Sequence, residues 1–191
     1  MIFKKNSRMQ SRKAQISMSV GTIVTIVLLM TTLILGLVLV RNIFGTATKV
    51  IDLSDAQLTE EVNKLFGEDK GVVVYPATRR IEIKQEEING FGIGIQNLIG
   101  TGNDTFSYEV IVSDLDVQQK CGINGDEISR WIVTGRAENN IPIVSGSKST
   151  QRVLLDIPAG SPLCTFRLRV NVNSNKGTYG TEFMDIIIKP R

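Results

Sequence analysis

The sequence predicts an N-terminal transmembrane α-helix with a helical extension, followed by an all-β domain built as a two-sheet sandwich. Three observations carry this. Residues 16–40, ISMSVGTIVTIVLLMTTLILGLVLV, contain no charged side chain. As a helix at ~1.5 Å per residue this run reaches roughly 37 Å, enough to cross a bilayer. Next, Ile51, Leu58, Val62 and Leu65 recur at the spacing of one helix face. From residue 71 onward the pattern changes to short β-branched runs in which apolar and polar residues alternate.

The chain has 191 residues and a net charge of +3. Residues 1–14 form a basic leader with Lys4, Lys5, Arg8, Arg12 and Lys13 and no acid, so the rest of the chain is slightly acidic. No basic surface is left for nucleic acid, and no nucleic-acid partner is expected. The leader is a topology signal instead. Its charges precede the apolar run and outweigh Arg41 and Lys49 after it, which places the N-terminus in the cytoplasm and the C-terminal domain outside.

The transmembrane helix is assigned to 15–41. A cleaved secretory signal has a shorter apolar region and a small-x-small exit, and LVLVRNIFG offers neither. The helix is therefore expected to stay as a single-pass anchor. Ser17, Gly21 and Thr25 share a face at spacing four, and Thr32 and Gly36 repeat that spacing. Small residues let helices approach closely in lipid, which makes self-association through this helix an expected contact.

The junction RKA–QIS at Lys13, Ala14 and Gln15 resembles the cleavage site of archaeal class III signal peptides. Those belong to type IV pilin-like proteins and archaellins. The resemblance covers about 30 residues and implies a cut between Ala14 and Gln15 by a prepilin-type peptidase. The apolar helix would then remain as an anchoring or assembly helix. One position departs from the pattern. Many members carry glutamate at the fifth residue after the cut, where this chain has Ser19. A carboxylate there could pair with the new amino terminus of a neighbouring subunit; serine cannot. An uncleaved anchor is the alternative.

Residues 42–70 are expected to form a helical stalk or linker. Ser54 and Gln57 are placed for a capping box, which suits a helix restarting at Ser54 after a weak point at Gly45. An unbroken helix is the other option. Gly67 and the polar GEDKG end the segment. Its apolar face would pack either on its own domain or on a copy of itself.

Residues 71–191 are expected to be the β-sandwich. The runs read as strands are GVVVYP, RRIEIKQ, GFGIGIQNLI, TFSYEVIVSD, ISRWIVTG, QRVLLDIP, CTFRLRVNV and GTEFMDIIIKP. In CTFRLRVNV, Phe166, Leu168, Val170 and Val172 face one way, and Arg167, Arg169 and Asn171 the other. Half-buried strands of this kind suit antiparallel pairing. The stretch from Ile81 to Val112, with LLDIPAGSPL later, resembles immunoglobulin-like modules of archaeal and bacterial surface proteins. The resemblance implies an immunoglobulin-like sandwich and no particular activity.

Outside the membrane the compartment can be oxidising, and the only two cysteines, Cys121 and Cys164, are expected to pair. Asn103-Asp104-Thr105 is an N-x-Ser/Thr sequon in a glycine-flanked turn, so Asn103 is the candidate glycosylation site.

Nothing in the sequence points to catalysis. The chain has no histidine, no nucleophile elbow and no phosphate loop. Gly90, Gly92 and Gly94 lack the spacing of a dinucleotide fingerprint and read as a strand bend. Asp114, Asp116, Asn124, Asp126 and Glu127 are oxygen-rich without EF-hand spacing, and read as a solvated acidic loop. Trp131 reads as core. No cofactor, metal or enzymatic activity is expected. The expected role is a pilin-like subunit or an adhesive, structural surface module. The alternatives are an uncleaved subunit of an envelope complex, or an anchored substrate-binding module.

Overall fold

A computed structural model of the chain describes residues 20–45, 49–99 and 102–191. They fall into two compact units that part between Thr46 and Ala47.

The first unit is one helix, α1, Val20–Gly45. Its segment Gly21–Leu39 has a mean hydropathy of 2.6 and is long and apolar enough to cross a membrane. None of that segment is buried in protein. Leucines such as Leu29 and Leu35 are about two-thirds exposed, at 66% and 68%. Such a surface calls for lipid or another protein.

The second unit begins with a 3-10 turn, Val50–Asp52, and helix α2, Asp55–Asn63. The helix starts where the sequence expects. The Ser54 hydroxyl accepts the Gln57 N–H, and the Gln57 side chain accepts the Ser54 N–H. Nine strands and two short helices follow: β1 Val72–Tyr75, β2 Arg80–Lys84, β3 Glu87–Gln96, β4 Asn103–Val112, α3 Val117–Cys121, α4 Gly125–Arg130, β5 Ile132–Thr134, β6 Ala137–Val144, β7 Lys148–Ile157, β8 Thr165–Ser174 and β9 Gly177–Lys189. They form two sheets, ordered β1-β3-β7-β5 and β2-β9-β8-β4-β6. The core lies between them. Phe91, Ile93 and Val153 from the first sheet meet Phe106, Leu168 and Met184 from the second, all buried.

The alternation read from the sequence holds along β2 and β8, where Ile81, Ile83, Phe166, Leu168, Val170 and Val172 are the inward positions. Four expectations need correction. The pairing is not all antiparallel: β2 runs parallel to β9, from Arg80 opposite Asp185 to Lys84 opposite Lys189. The turn at Gln85–Glu86 carries the chain from β2 into the other sheet, so β2 pairs with the chain's last strand rather than with β3. The run ISRWIVTG is only partly a strand. Asn124 caps α4 by accepting the Glu127 N–H, and the helix takes residues up to Arg130. Strand β6 was not anticipated, because Asn139, Asn140 and Pro142 break its pattern; Asn140 has a φ of 60°. Finally, Gly90, Gly92 and Gly94 make no bend. They lie in unbroken register within β3, paired with β7 on one side.

The 42–70 stalk is also divided differently. Helix α1 runs to Gly45, whereas the residues from Val50 to Phe66 pack on the β domain. They lie as a strap over the outer face of the first sheet, and Val50, Leu58 and Val62 are buried there against Val73. Of the alternatives left open by the sequence, packing on its own domain is the one observed. Ile51 is not on the buried face; Val50 takes that place.

Candidate functional site

The glycines of β3 explain how the strap lies so close. An added Cβ at Gly92 would sit 2.9 Å from Leu58 Cδ1, and one at Gly94 would sit 2.4 Å from Val62 Cγ1. The strip is a seat for α2. Polar contacts fix the strap's start. Arg152 on β7 donates to the Val50 carbonyl at 3.0 Å and the Leu53 carbonyl at 2.7 Å, and to Asp55 at 2.9 Å. Asn89 Oδ1 accepts the Val50 N–H at 3.1 Å. Lys49 pairs with Glu87. Burial would raise the Glu87 carboxyl, but the Lys49 ammonium and the Lys84 N–H outweigh it and hold it low. Neither Arg152 nor Asn89 was singled out by the sequence. The one signal was an arginine inside a strand otherwise rich in Val and Leu.

On α1, Gly21, Thr25, Thr32 and Gly36 fall within about 60° of arc at ~100° per residue. The hydroxyls of Thr25 and Thr32 donate to the carbonyls of Gly21 and Leu28, so these polar groups are satisfied within the helix. A Cβ on Gly36 would meet nothing within 4 Å. Lys13, Ala14, Gln15, Ser17 and Ser19 lie outside the described residues.

Cys121 and Cys164 are joined, with Cα atoms 5.4 Å apart. The bond ties α3 to the chain just before β8. Asn103 is exposed and opens β4 opposite Val144. The middle residue of its sequon is held differently. Asp104 is buried, accepts from Asn97 Nδ2 at 3.2 Å and pairs with Lys176 at 3.2 Å. The Lys176 ammonium, aided by Asn97, keeps its carboxyl below the usual range.

The acidic loop is organised by other contacts. Asp114 receives Lys120 at 3.1 Å, and Asn124 serves as the helix cap. Among the described residues no group of three or more carboxylates and cysteines is placed to hold a metal ion. Trp131 is buried, edge-to-face with Phe166 at 6.0 Å. Tyr108 lines a shallow groove with Asp55, Arg152, Thr134 and Glu138. Burial pushes its hydroxyl up to about 12, so it stays protonated.

The outer face of the five-stranded sheet is open. Strand register sets Arg80, Asp185 and Arg167 in one row, and Phe183, Arg169 and Ile111 in the next. Arg167 grips Asp185 at 2.7 and 3.1 Å, and lies 6.0 Å from the ring centroid of Phe183. That pairing lowers the Asp185 carboxyl below its ordinary range. Phe183 is 39% exposed. The Nε of Arg169 is shielded from solvent with no hydrogen-bond partner.

No known protein-family model and no curated protein matches the chain. Among solved structures it is similar to the periplasmic chaperone SfaE, at 11% identity and a TM-score of 0.39, over 63% of this chain and 57% of the chaperone. It is also similar to a Niemann-Pick type C2 protein from Japanese carpenter ant, at 12% identity and 0.35, over 63% and 90%. A PapD-like domain of human CEP192 gives 10% identity and 0.35, over 63% and 87%. The chain spans little more than half of the chaperone's length. These likenesses add nothing to the two-sheet fold described above.

Proposed function

We propose that this is a single-pass surface protein of the archaeal type IV pilin-like kind, with its N-terminus in the cytoplasm and its β domain outside. The leader 1–14 is removed between Ala14 and Gln15, and the apolar helix remains as anchor and assembly element. The outer domain is an immunoglobulin-like sandwich with a structural or adhesive role, and Asn103 is its glycan site. The observation that carries this reading is one arrangement. A basic leader ending Lys13-Ala14 precedes Gln15 and the apolar run that holds the lipid-suited helix of Gly21–Leu39, and a separate disulfide-closed β domain follows. The disulfide supports an oxidising compartment for that domain.

One observation favours a second reading. Ser19 stands where a pairing carboxylate would be, which suits a membrane-held subunit of an envelope complex that does not polymerise through its helix.

The test is the N-terminus of the membrane-bound protein, read by mass spectrometry from a cell that has a prepilin-type peptidase. A mature chain beginning at Gln15 is expected. Recovery of intact 1–14 alone would remove the pilin-like reading and leave the plain anchor.

A further inference from the structure

We propose that the outer domain docks head-to-tail on a second copy of this chain, the open face of the five-stranded sheet receiving the acidic strap of the next copy. The proposal rests on the reading of the chain as a membrane-held surface subunit, which keeps copies together in one orientation at high local concentration.

The two surfaces belong to one domain but lie on opposite sides of the sandwich. The strap covers the outer face of the first sheet; Arg80, Arg167, Arg169 and Phe183 stand on the outer face of the second. Their charges are opposite. The strap, residues 50–66, carries four carboxylates against one lysine. Asp55 and Glu60 remain 96% and 71% exposed, and Lys64 is shared between Glu60 and Glu61 at 3.1 and 2.8 Å. Across the molecule the ratio reverses. In the two central rows one carboxylate, Asp185, faces three guanidiniums. Glu82 is taken by Lys189 at 3.4 Å at one end of the face, Asp114 beside Arg167 is taken by Lys120 at 3.1 Å, and Glu109 stands in the row next to Arg169.

The basic face also has an apolar centre, where Phe183, Ile111 and Ile187 are open or half-buried. A contact between different faces of identical subunits is heterologous. It repeats from copy to copy instead of closing a dimer. Complementarity within one sequence points to a second copy over an unrelated acidic ligand.

The experiment uses the full chain in membranes. Cys121 and Cys164 are bonded to each other and no cysteine is free, so introduced thiols report cleanly. Thr59→Cys lies on exposed α2, and Thr181→Cys on the exposed outer side of β9. A chain with both should give a disulfide ladder beyond the dimer, while each single variant should stay monomeric. Reversing the face (Arg80→Glu with Arg169→Glu) or the strap (Glu60→Lys with Glu61→Lys) should cut the ladder about tenfold. Co-expressing the two reversed chains should restore it. Arg80→Glu alone repeats the test at an exposed site, and an unchanged melting temperature with an intact Cys121–Cys164 bond certifies each fold. A ladder indifferent to both reversals, dimers from a single-cysteine chain, or no recovery in the mixture would overturn the proposal. So would an absent ladder from a chain that begins at Gln15, and that result would leave the anchoring reading intact.

Discussion

At the scale of single residues, the glycines of β3 decide whether the strap can dock. Gly92 and Gly94 face α2, and a Cβ at Gly94 would also sit 2.8 Å from the Phe66 ring. Gly94→Val should destabilise the domain by about 1–3 kcal/mol, the usual cost of overpacking. It should also open residues 50–66 to protease, read as faster cleavage in that segment. Gly36→Val is the control, because nothing stands within 4 Å of its Cβ, and it should leave unfolding of the β domain unchanged. The alternating glycines were visible in the sequence, but their meaning was not. A glycine in a strand can mark a bend or a close neighbour, and only the neighbour's position distinguishes them. Arg152 was equally silent, since its partners are backbone carbonyls about a hundred residues away in sequence.

At the scale of elements, legibility tracked how far local chemistry agreed with the fold. The α2 cap was readable because Ser54 and Gln57 satisfy each other within one turn. Strand β8 was readable because its alternation is strict over Phe166 to Val172. Strand β6 was not, because Asn-Asn-Ile-Pro suits an irregular edge strand. The β2–β9 parallel pair was unreadable, because register between the two ends of the domain leaves no local trace. The disulfide joins α3 to the loop before β8, at a sequence separation of 43. In the chain-entropy model such a link is worth about 4 kcal/mol. Reduction should therefore lower the unfolding midpoint markedly, and Cys121→Ser with Cys164→Ser should behave like the reduced protein in urea titrations. A midpoint unmoved by reductant would show that α3 is held by its packing alone.

For the whole molecule, the division falls between Thr46 and Ala47, and the strap counts with the β domain. Sequence periodicity placed that border near residue 71, because a helical pattern gives way to strands there. Packing moves it. Val50, Leu58 and Val62 bury their side chains on the first sheet, each worth about 1.5–3 kcal/mol before the entropy of ordering the segment is subtracted. Arg152 and Asn89 add hydrogen bonds that no water-exposed chain end would keep. A fragment 47–191 should then unfold cooperatively as one body. A fragment 71–191 would bare Val73, Tyr75 and the glycine strip, and leave Arg152 without its carbonyl partners. Its urea midpoint should fall below that of 47–191 with the disulfide intact in both, and it should bind a hydrophobic dye that the longer fragment does not. Equal midpoints would mean that the strap rests on the sheet without stabilising it. An acidic surface so loosely held could not serve as one half of a subunit contact, so the same titration also bears on whether the strap can present its carboxylates to a neighbour.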